Sequence, residues 1–114
     1  MISQLFYKEA LVLIGLIKWF TILDKQATTD EIVFIESIAA EFGEKEYGAF
    51  FTAVDQMFQT EDELKNYVSK VEREEVREHI YELMLNLAET ETINTREAAQ
   101  LQWLAETWNI SEHN

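Results

Sequence analysis

Hydrophobic residues recur at intervals of three and four along most of the 114-residue chain, which is the repeat of one face of an α-helix. This pattern predicts six helices. The first, Ser3–Leu23, is apolar on nearly every side, and we expect it to be the central, buried helix of the fold. Its longest run without a charged residue, Ala10–Ile17, has eight residues. A membrane span needs about 20 apolar residues, so no transmembrane segment is expected.

Polar segments that fit helix starts separate the other helices. A capping box pairs an N-cap Ser or Thr with a Glu three positions later, and it occurs at Thr28–Glu31 and Thr60–Glu63. Asn94–Glu97 is a similar start with Asn at the N-cap, and Gly43 stands where a helix C-terminal cap is expected. We therefore predict helix 2 between the first box and Gly43, helix 3 over Glu44–Phe58, helix 4 after the second box, helix 5 over Glu72–Glu89 and helix 6 after Asn94.

The apolar positions of these helices predict which sides face the interior. We expect burial of Ile32, Ile35, Ile38, Ala39 and Phe42 on helix 2, of Tyr47, Phe50, Phe51, Val54, Met57 and Phe58 on helix 3, and of Val76, Ile80, Leu83 and Leu87 on helix 5. These sides should meet in one common interior. In particular, we expect three residues from separate helices to meet there: Phe50, Leu83 and Leu104.

A weak internal repeat supports the same architecture. Residues 27–43 align with residues 93–109, and the alignment pairs Thr29 with Thr95, Glu31 with Glu97, and Ala39 with Ala105. Each segment follows an apolar helix and begins with a helix-start pattern. We therefore predict a single all-α domain, residues 1–114, which is a bundle of about six helices containing a duplicated helix–loop–helix unit.

Composition narrows both the fold and the function. The chain has no proline and three glycines, whereas β-sheet proteins need many turn residues. Its formal net charge is −13 with nine Lys and Arg residues, which disfavours nucleic acid as a partner. A negative surface attracts cations or basic proteins, although it also serves solubility alone. The absence of cysteine excludes disulfides and Cys-based zinc sites and fits a cytoplasmic protein.

The sequence offers little for catalysis. It contains two histidines, no cysteine and no Gly-rich phosphate loop, and no nucleophile–base–orienter set is visible. We therefore expect a protein that is not an enzyme.

The segments before helices 2 and 6 share a short motif with a known family. In the first, Asp24, Thr28 and Glu31 fit the pattern Ala-Asp-Gly-x-hydrophobic-Ser/Thr-x-x-Glu, with Lys25 in place of glycine. This pattern between two helices is typical of the TerB-like family, which is named for a tellurite-resistance protein and has relatives beside J-domain co-chaperones. The chain resembles this family over nearly its whole length.

The second segment matches the motif less closely. Ile93 and Glu97 fit it, while Thr90 and Glu91 stand at the Asp and Gly positions; alternatively, Ala88–Glu89 supplies the Ala-Asp pair with one residue inserted. The resemblance implies an all-α bundle of two similar halves and a role in stress response or membrane-linked complexes. It also implies possible divalent metal binding at the acidic loop residues.

Two sets of residues are candidate sites. Asp24, Glu31 and Glu97 are candidate ligands for Ca²⁺ or Mg²⁺, which prefer several oxygen ligands. The alternative is that Glu31 and Glu97 only cap their helices.

The second set begins with a polar stripe on helix 5, formed by Glu72, Glu75, His79, Glu82, Asn86 and Glu89. His79 lies one turn from Glu75 and Glu82, so we expect a raised pKa. The alternative is that the stripe is only the solvent-exposed side of helix 5. Trp103 falls off the apolar side of helix 6 and would mark a partner surface if exposed; the alternative is a core aromatic.

The hypothesis favoured by the sequence is a non-catalytic, acidic, TerB-like interaction domain. Its protein partner is expected to be basic or membrane-associated and to contact Glu75, His79, Glu82 and Trp103. The alternative hypothesis is a divalent metal-ion-binding domain that uses Asp24, Glu31 and Glu97.

Overall fold

The computed structural model describes residues 5–22, 29–89 and 95–110. Within these ranges the chain forms six α-helices: α1 (Tyr7–Ile22), α2 (Thr29–Phe42), α3 (Glu44–Met57), α4 (Glu61–Val68), α5 (Glu74–Ala88) and α6 (Thr95–Trp108). The same residues include no strand, so the all-α prediction is confirmed. None of the described helices has the length and apolar character needed to cross a membrane.

The centre of the fold is α1, as its composition predicted. Every residue from 9 to 17 is buried, and so is Phe20. The helix packs against α3, α4 and α5, so it has neighbours on several sides. A helix that is covered on several sides needs apolar residues all round, which explains why α1 lacks a polar face.

Helix α1 divides the buried residues into two clusters. On one side, Leu11 and Ile14 pack with Val54 of α3, and Phe50 lies against them. On the other side, a larger cluster includes Leu104, with Leu83 half-buried against it. The prediction that Phe50, Leu83 and Leu104 share one interior is therefore wrong, because opposite sides of α1 are covered by different helices.

The two predicted helical hairpins are not equivalent in packing. Helices α5 and α6 pack directly against each other, whereas α2 packs mainly on α3. The reason lies at Gly43, the single residue between α2 and α3, whose φ of 95° turns the chain sharply. A positive φ strains residues that have a Cβ, so glycine fits this corner. The cap predicted at Gly43 is confirmed.

The predicted capping box at Thr60–Glu63 is also confirmed. The Thr60 hydroxyl accepts a hydrogen bond from the Glu63 amide at 3.2 Å, and the Glu63 carboxylate accepts one from the Thr60 amide at 3.1 Å. The boxes predicted at Thr28 and Asn94 begin outside the described residues.

An ion pair between a buried carboxylate and a half-buried arginine ties the start of α1 to the start of α5. Glu9 is 1% exposed and accepts hydrogen bonds from Nε and Nη2 of Arg73 at 2.9 and 2.5 Å. The Phe6 amide donates to the same carboxylate at 2.7 Å. Nearby, the Trp108 indole donates to the Val68 carbonyl at 2.9 Å. These bonds hold the α4–α5 corner against α1 and α6.

Close packing of α1 and α4 depends on Gly15. A Cβ at this position would lie 2.9 Å from Leu64 Cδ1 and 3.1 Å from ring carbons of Phe58. Gly48, on the exposed side of α3, would place a Cβ in open space. Alanine substitution at Gly48 therefore tests helix propensity alone, whereas the same substitution at Gly15 tests helix propensity and packing together.

We expect Gly48→Ala to raise the free energy of unfolding by about 0.5–1 kcal/mol, because alanine favours the helix over glycine. Gly15→Ala has the same propensity gain, but crowding against Leu64 costs about 1–3 kcal/mol, so the variant should be less stable than the wild type. Urea unfolding followed by circular dichroism measures both. Equal stabilisation by the two substitutions would contradict the close approach of α1 to α4.

Candidate functional site

Five ring side chains form a continuous layer at the side of the bundle where α1 begins and α2 meets α3. We call this layer the aromatic surface; it consists of Tyr7, Phe42, Tyr47, Phe50 and Phe51. Phe50 is 5.5 Å from both Tyr7 and Phe42 between ring centroids, and Tyr47 is 6.2 Å from both Phe42 and Phe51. Tyr7 is 63% exposed and Phe51 is 40% exposed. The surface therefore joins three half-buried rings, Phe42, Tyr47 and Phe50, to two exposed ones.

The layout of α3 explains why some of these rings stay exposed. The large apolar side chains of α3 span an arc of about 120° at 100° per residue. Val54, near the middle of this arc, is buried against α1, whereas Phe51 and Met57 at its two edges are 40% and 37% exposed. The prediction that Phe51 and Met57 face the interior is therefore wrong, because α1 covers only the middle of the arc. Ile32 of α2 is likewise 46% exposed.

A groove of about 370 Å³ crosses the aromatic surface. It is lined by Leu5, Tyr7, Ala10, Glu41, Phe42, Glu46 and Phe50. The two charged side chains in this lining, Glu41 and Glu46, are both carboxylates and both belong to exposed residues. The groove therefore combines an apolar floor with a negative rim.

Tyr47 is half-buried within the aromatic surface. Burial raises the pKa of its phenol above the usual value of 10.0. Lys18 of α1 lies with its Nζ 5.4 Å from the Phe51 ring centroid and is paired with Asp55 of α3. Neither Tyr47 nor Lys18 lines the groove, so the charged side chains of its lining are Glu41 and Glu46.

The residues predicted to bind a partner belong to α5 and α6, and none of them lines the groove. Glu75 and Glu82 are exposed on α5, and His79 between them is half-buried. Burial lowers the pKa of His79, although the Glu82 and Glu41 carboxylates act in the opposite direction. The predicted raised pKa is wrong, because the loss of hydration on the folded side chain outweighs the nearby carboxylates.

Trp103 is not an exposed residue. It is half-buried, and its ring meets the Trp19 ring edge to face, with centroids 5.7 Å apart and planes at 89°. Lys65 Nζ lies 5.0 Å from the Trp103 centroid. Trp103 therefore packs at the margin of the main cluster, as the alternative interpretation held.

The predicted metal ligands are described only in part. Asp24 lies outside the described residues, and so does the side chain of Glu31, although its backbone belongs to α2. Glu97 is 6% exposed on α6. Among the described residues, no three His, Asp or Glu side chains are close enough to hold a metal ion. Binding of Ca²⁺ or Mg²⁺ by Asp24, Glu31 and Glu97 stays a prediction, which calorimetric titration with these ions tests.

Sequence reasoning missed part of the groove. Tyr7, Glu41 and Glu46 were not singled out, and Phe50 and Phe51 were assigned to the interior. The one available signal was the width of the apolar arc on α3. No sequence feature indicated that the end of α2 and the start of α1 would meet there.

Comparison of the chain with protein-family models, with curated proteins and with solved structures found no significant match. The structure itself defines an acidic, all-helical domain with an aromatic groove at its surface. The case for function therefore rests on the geometry and charge of that groove.

Proposed function

We propose that this domain is a non-catalytic interaction domain that binds a basic, apolar segment of a partner protein in the groove of the aromatic surface. The observation that carries the proposal is the combination of exposed rings, Tyr7 and Phe51, with a groove whose charged lining consists of Glu41 and Glu46. Contiguous exposed apolar surface is uncommon on monomeric proteins and marks interaction sites.

The groove has the two parts that are usual at protein interfaces, apolar anchor residues and a charged rim. Buried aromatic anchors supply most of the binding energy, and tyrosine is among the residues enriched at such positions. Carboxylates at the rim attract basic partners and set orientation more than affinity. A Lys or Arg beside an apolar side chain in the partner would pair with Glu41 or Glu46 while the apolar side chain fills the groove.

The charge of the domain argues for a basic partner over a second copy of this chain. Two copies would each carry a formal net charge of −13, so their mutual repulsion opposes association. A basic segment is attracted by the same charge. The resemblance to the TerB-like family supports stress-response or membrane-linked complexes as the setting, and this too is a proposal.

The α5 stripe supports the proposal less well than the groove. Its outer residues Glu75 and Glu82 are exposed carboxylates. Charged rim residues of this kind contribute little affinity without apolar anchors beside them. We therefore place the main contact at the groove and keep the stripe as the competing location.

A designed peptide tests the proposal. The probe is a fluorescent amphipathic helix of about 15 residues, with Leu and Phe on one side and Lys on the other. A control peptide has the same charge but Ser in place of Leu and Phe. We expect the first peptide to bind at least tenfold more tightly in fluorescence anisotropy, because only it can fill the groove.

Matched variants of the domain locate the contact. Tyr7→Ala should weaken binding of the Leu/Phe peptide about tenfold or more, because an anchor ring is lost. The pair Glu41→Lys with Glu46→Lys should also weaken binding, because it replaces attraction by repulsion of the peptide's Lys side chains. The pair Glu75→Lys with Glu82→Lys changes the net charge by the same amount and should have a much smaller effect. Loss of binding only in the α5 pair would move the contact to the predicted stripe. Equal binding of both peptides would overturn the proposal.

A further inference from the structure

The wall that α1 contributes to the groove lies at the very start of that helix. Leu5, Tyr7 and Ala10 line the groove, and Leu5 precedes the first helical residue, Tyr7. Helix ends fray because their first backbone groups lack helical partners. Tyr7 is also 63% exposed, so packing orders it only in part. The shape of this wall therefore depends on whatever else orders the first turn of α1.

Glu9 orders this turn from within the helix. Its carboxylate accepts a hydrogen bond at 2.7 Å from the amide of Phe6, the residue that precedes α1. The Phe6 carbonyl in turn accepts a bond from the Ala10 amide at 2.9 Å. Phe6 lies between Leu5 and Tyr7 in the chain, so a bond that fixes its backbone also fixes these two groove residues.

Arg73 ties the same turn to the rest of the domain. Its Nε and Nη2 donate to Glu9 at 2.9 and 2.5 Å, and its guanidinium carbon lies 4.0 Å from the Phe6 ring centroid. Arg73 is the N-cap of α5, and its carbonyl accepts from the amides of Val76 and Arg77 at 3.1 and 3.0 Å. The start of α1 is therefore anchored to a helix whose own first turn is hydrogen-bonded.

We propose that Glu9 and Arg73 are positioning residues for the groove, whose ion pair holds the first turn of α1 in the conformation that presents Leu5 and Tyr7 to the partner. Neither Glu9 nor Arg73 lines the groove itself. The inference rests on the proposed function, because it concerns the same groove. It gives the pair a role in binding that is separate from its contribution to stability.

Loss of the pair should affect mainly the first turn. Residues 10–17 are all buried, so packing keeps this part of α1 in place without the pair. Low-stability segments at helix ends open independently of the rest of a fold. A partner that needs the ordered turn then binds only the fraction of molecules in which that turn is formed.

The size of the effect follows from the bonds that Glu9 makes. A hydrogen bond to a charged group is worth about tenfold or more in an equilibrium constant. Glu9→Gln keeps the size of the side chain and removes its charge. We expect this variant to bind the Leu/Phe peptide about fivefold more weakly, or worse, in fluorescence anisotropy, because the first turn is ordered in fewer molecules.

Two control variants separate positioning from charge and from stability. Glu78→Gln makes the same change of charge at an exposed residue of α5, and its peptide affinity should stay within about twofold of the wild type. Leu16→Ala removes a fully buried side chain and leaves the ion pair intact. It should bind as the wild type does at a temperature where circular dichroism shows all variants to be folded.

A conservative substitution tests the anchor on α5. Arg73→Met removes the charge and the two donors, whereas Arg73→Lys keeps a charge but loses the planar fork. We expect Arg73→Lys to recover part of the affinity that is lost in Arg73→Met.

Amide hydrogen exchange reports on the first turn directly. The Ala10 amide should exchange about tenfold faster in Glu9→Gln than in the wild type, because the turn opens more often. The Gly43 amide, which donates to the Ala39 carbonyl at 2.9 Å where α2 ends, should be unchanged.

The proposal is overturned if Glu9→Gln binds the Leu/Phe peptide as tightly as the wild type. It is also overturned if Leu16→Ala loses as much affinity as Glu9→Gln, since the loss would then follow from lower stability alone. Either result would leave the peptide-binding proposal standing, because the wild type would still bind. A wild type that does not bind the peptide would overturn the proposed function, and the positioning role with it.

Discussion

Leu16→Ala is expected to lower the free energy of unfolding by about 3–4 kcal/mol, because it opens a cavity in the centre of the bundle. Leu16 is 0% exposed and belongs to the larger of the two clusters on α1. A small domain has a total stability of about 5–15 kcal/mol. One methyl-rich side chain on this helix therefore accounts for a large share of the stability of the fold.

Urea unfolding followed by helical circular dichroism measures the effect of Leu16→Ala. The control is Ile32→Ala on α2, where the side chain is 46% exposed and truncation should cost less than about 1 kcal/mol. A similar loss of stability at both positions would mean that α1 is not the centre of the fold.

Glu9→Gln is expected to lower the free energy of unfolding by about 2 kcal/mol at neutral pH. The glutamine side chain can accept at one oxygen, whereas the carboxylate accepts from Nε and Nη2 of Arg73 and from the Phe6 amide. Glu75→Gln is the control, because Glu75 is exposed and its carboxylate lies 3.8 Å from Arg73 Nη1. We expect no measurable change in that variant.

The same ion pair makes stability depend on pH. Hydrogen bonds from Arg73, together with the Phe6 amide and the charges of Arg73 and Lys8, hold the pKa of Glu9 below its ordinary value despite burial. A carboxyl group with a lowered pKa in the folded state stabilises the protein above its unfolded pKa of about 4.3. This stabilisation is lost as the pH falls through the folded pKa.

The difference in stability between the wild type and Glu9→Gln isolates this contribution from the other carboxylates. We expect the difference to stay constant from pH 7 to about 5 and to shrink at lower pH, as Glu9 becomes protonated in the wild type. Chemical unfolding at a series of pH values measures it. A difference that grows on acidification would show that Glu9 does not act as the charged partner of Arg73.

Local features of the fold could be predicted from the sequence because each depends on neighbouring residues. The Thr60–Glu63 box forms within one turn of helix, and the corner at Gly43 depends on the conformational freedom of one residue. The central place of α1 also followed from its own composition. These features need no knowledge of which helices meet.

Features that depend on contacts between distant parts of the chain could not be predicted in this way. The sequence alone shows Glu9 only as a charge at the edge of an apolar run, because its partner Arg73 is 64 positions away. The periodicity of the sequence predicts the apolar arc of α3. It does not predict how much of that arc α1 covers, and for this reason the predicted burial of Phe51 is wrong. The same limit applies to Trp103, whose neighbour Trp19 belongs to another helix.

The candidate groove was not predicted from the sequence. The composition predicted a negative surface suited to basic partners, but the pattern on helix 3 assigned its aromatic residues to the interior. The positions of Tyr7, Glu41 and Glu46 around one groove depend on the packing of α1, α2 and α3. That packing is known only from the structure.

The claim that this domain binds a basic, apolar segment at the aromatic surface is tested most directly by mapping backbone NMR shifts during titration with the Leu/Phe peptide. We expect the largest saturable changes at Tyr7, Glu41, Glu46 and Phe51, with small changes over residues 75–82 of α5. Saturable changes centred on residues 75–82, or none at the groove, would contradict the claim.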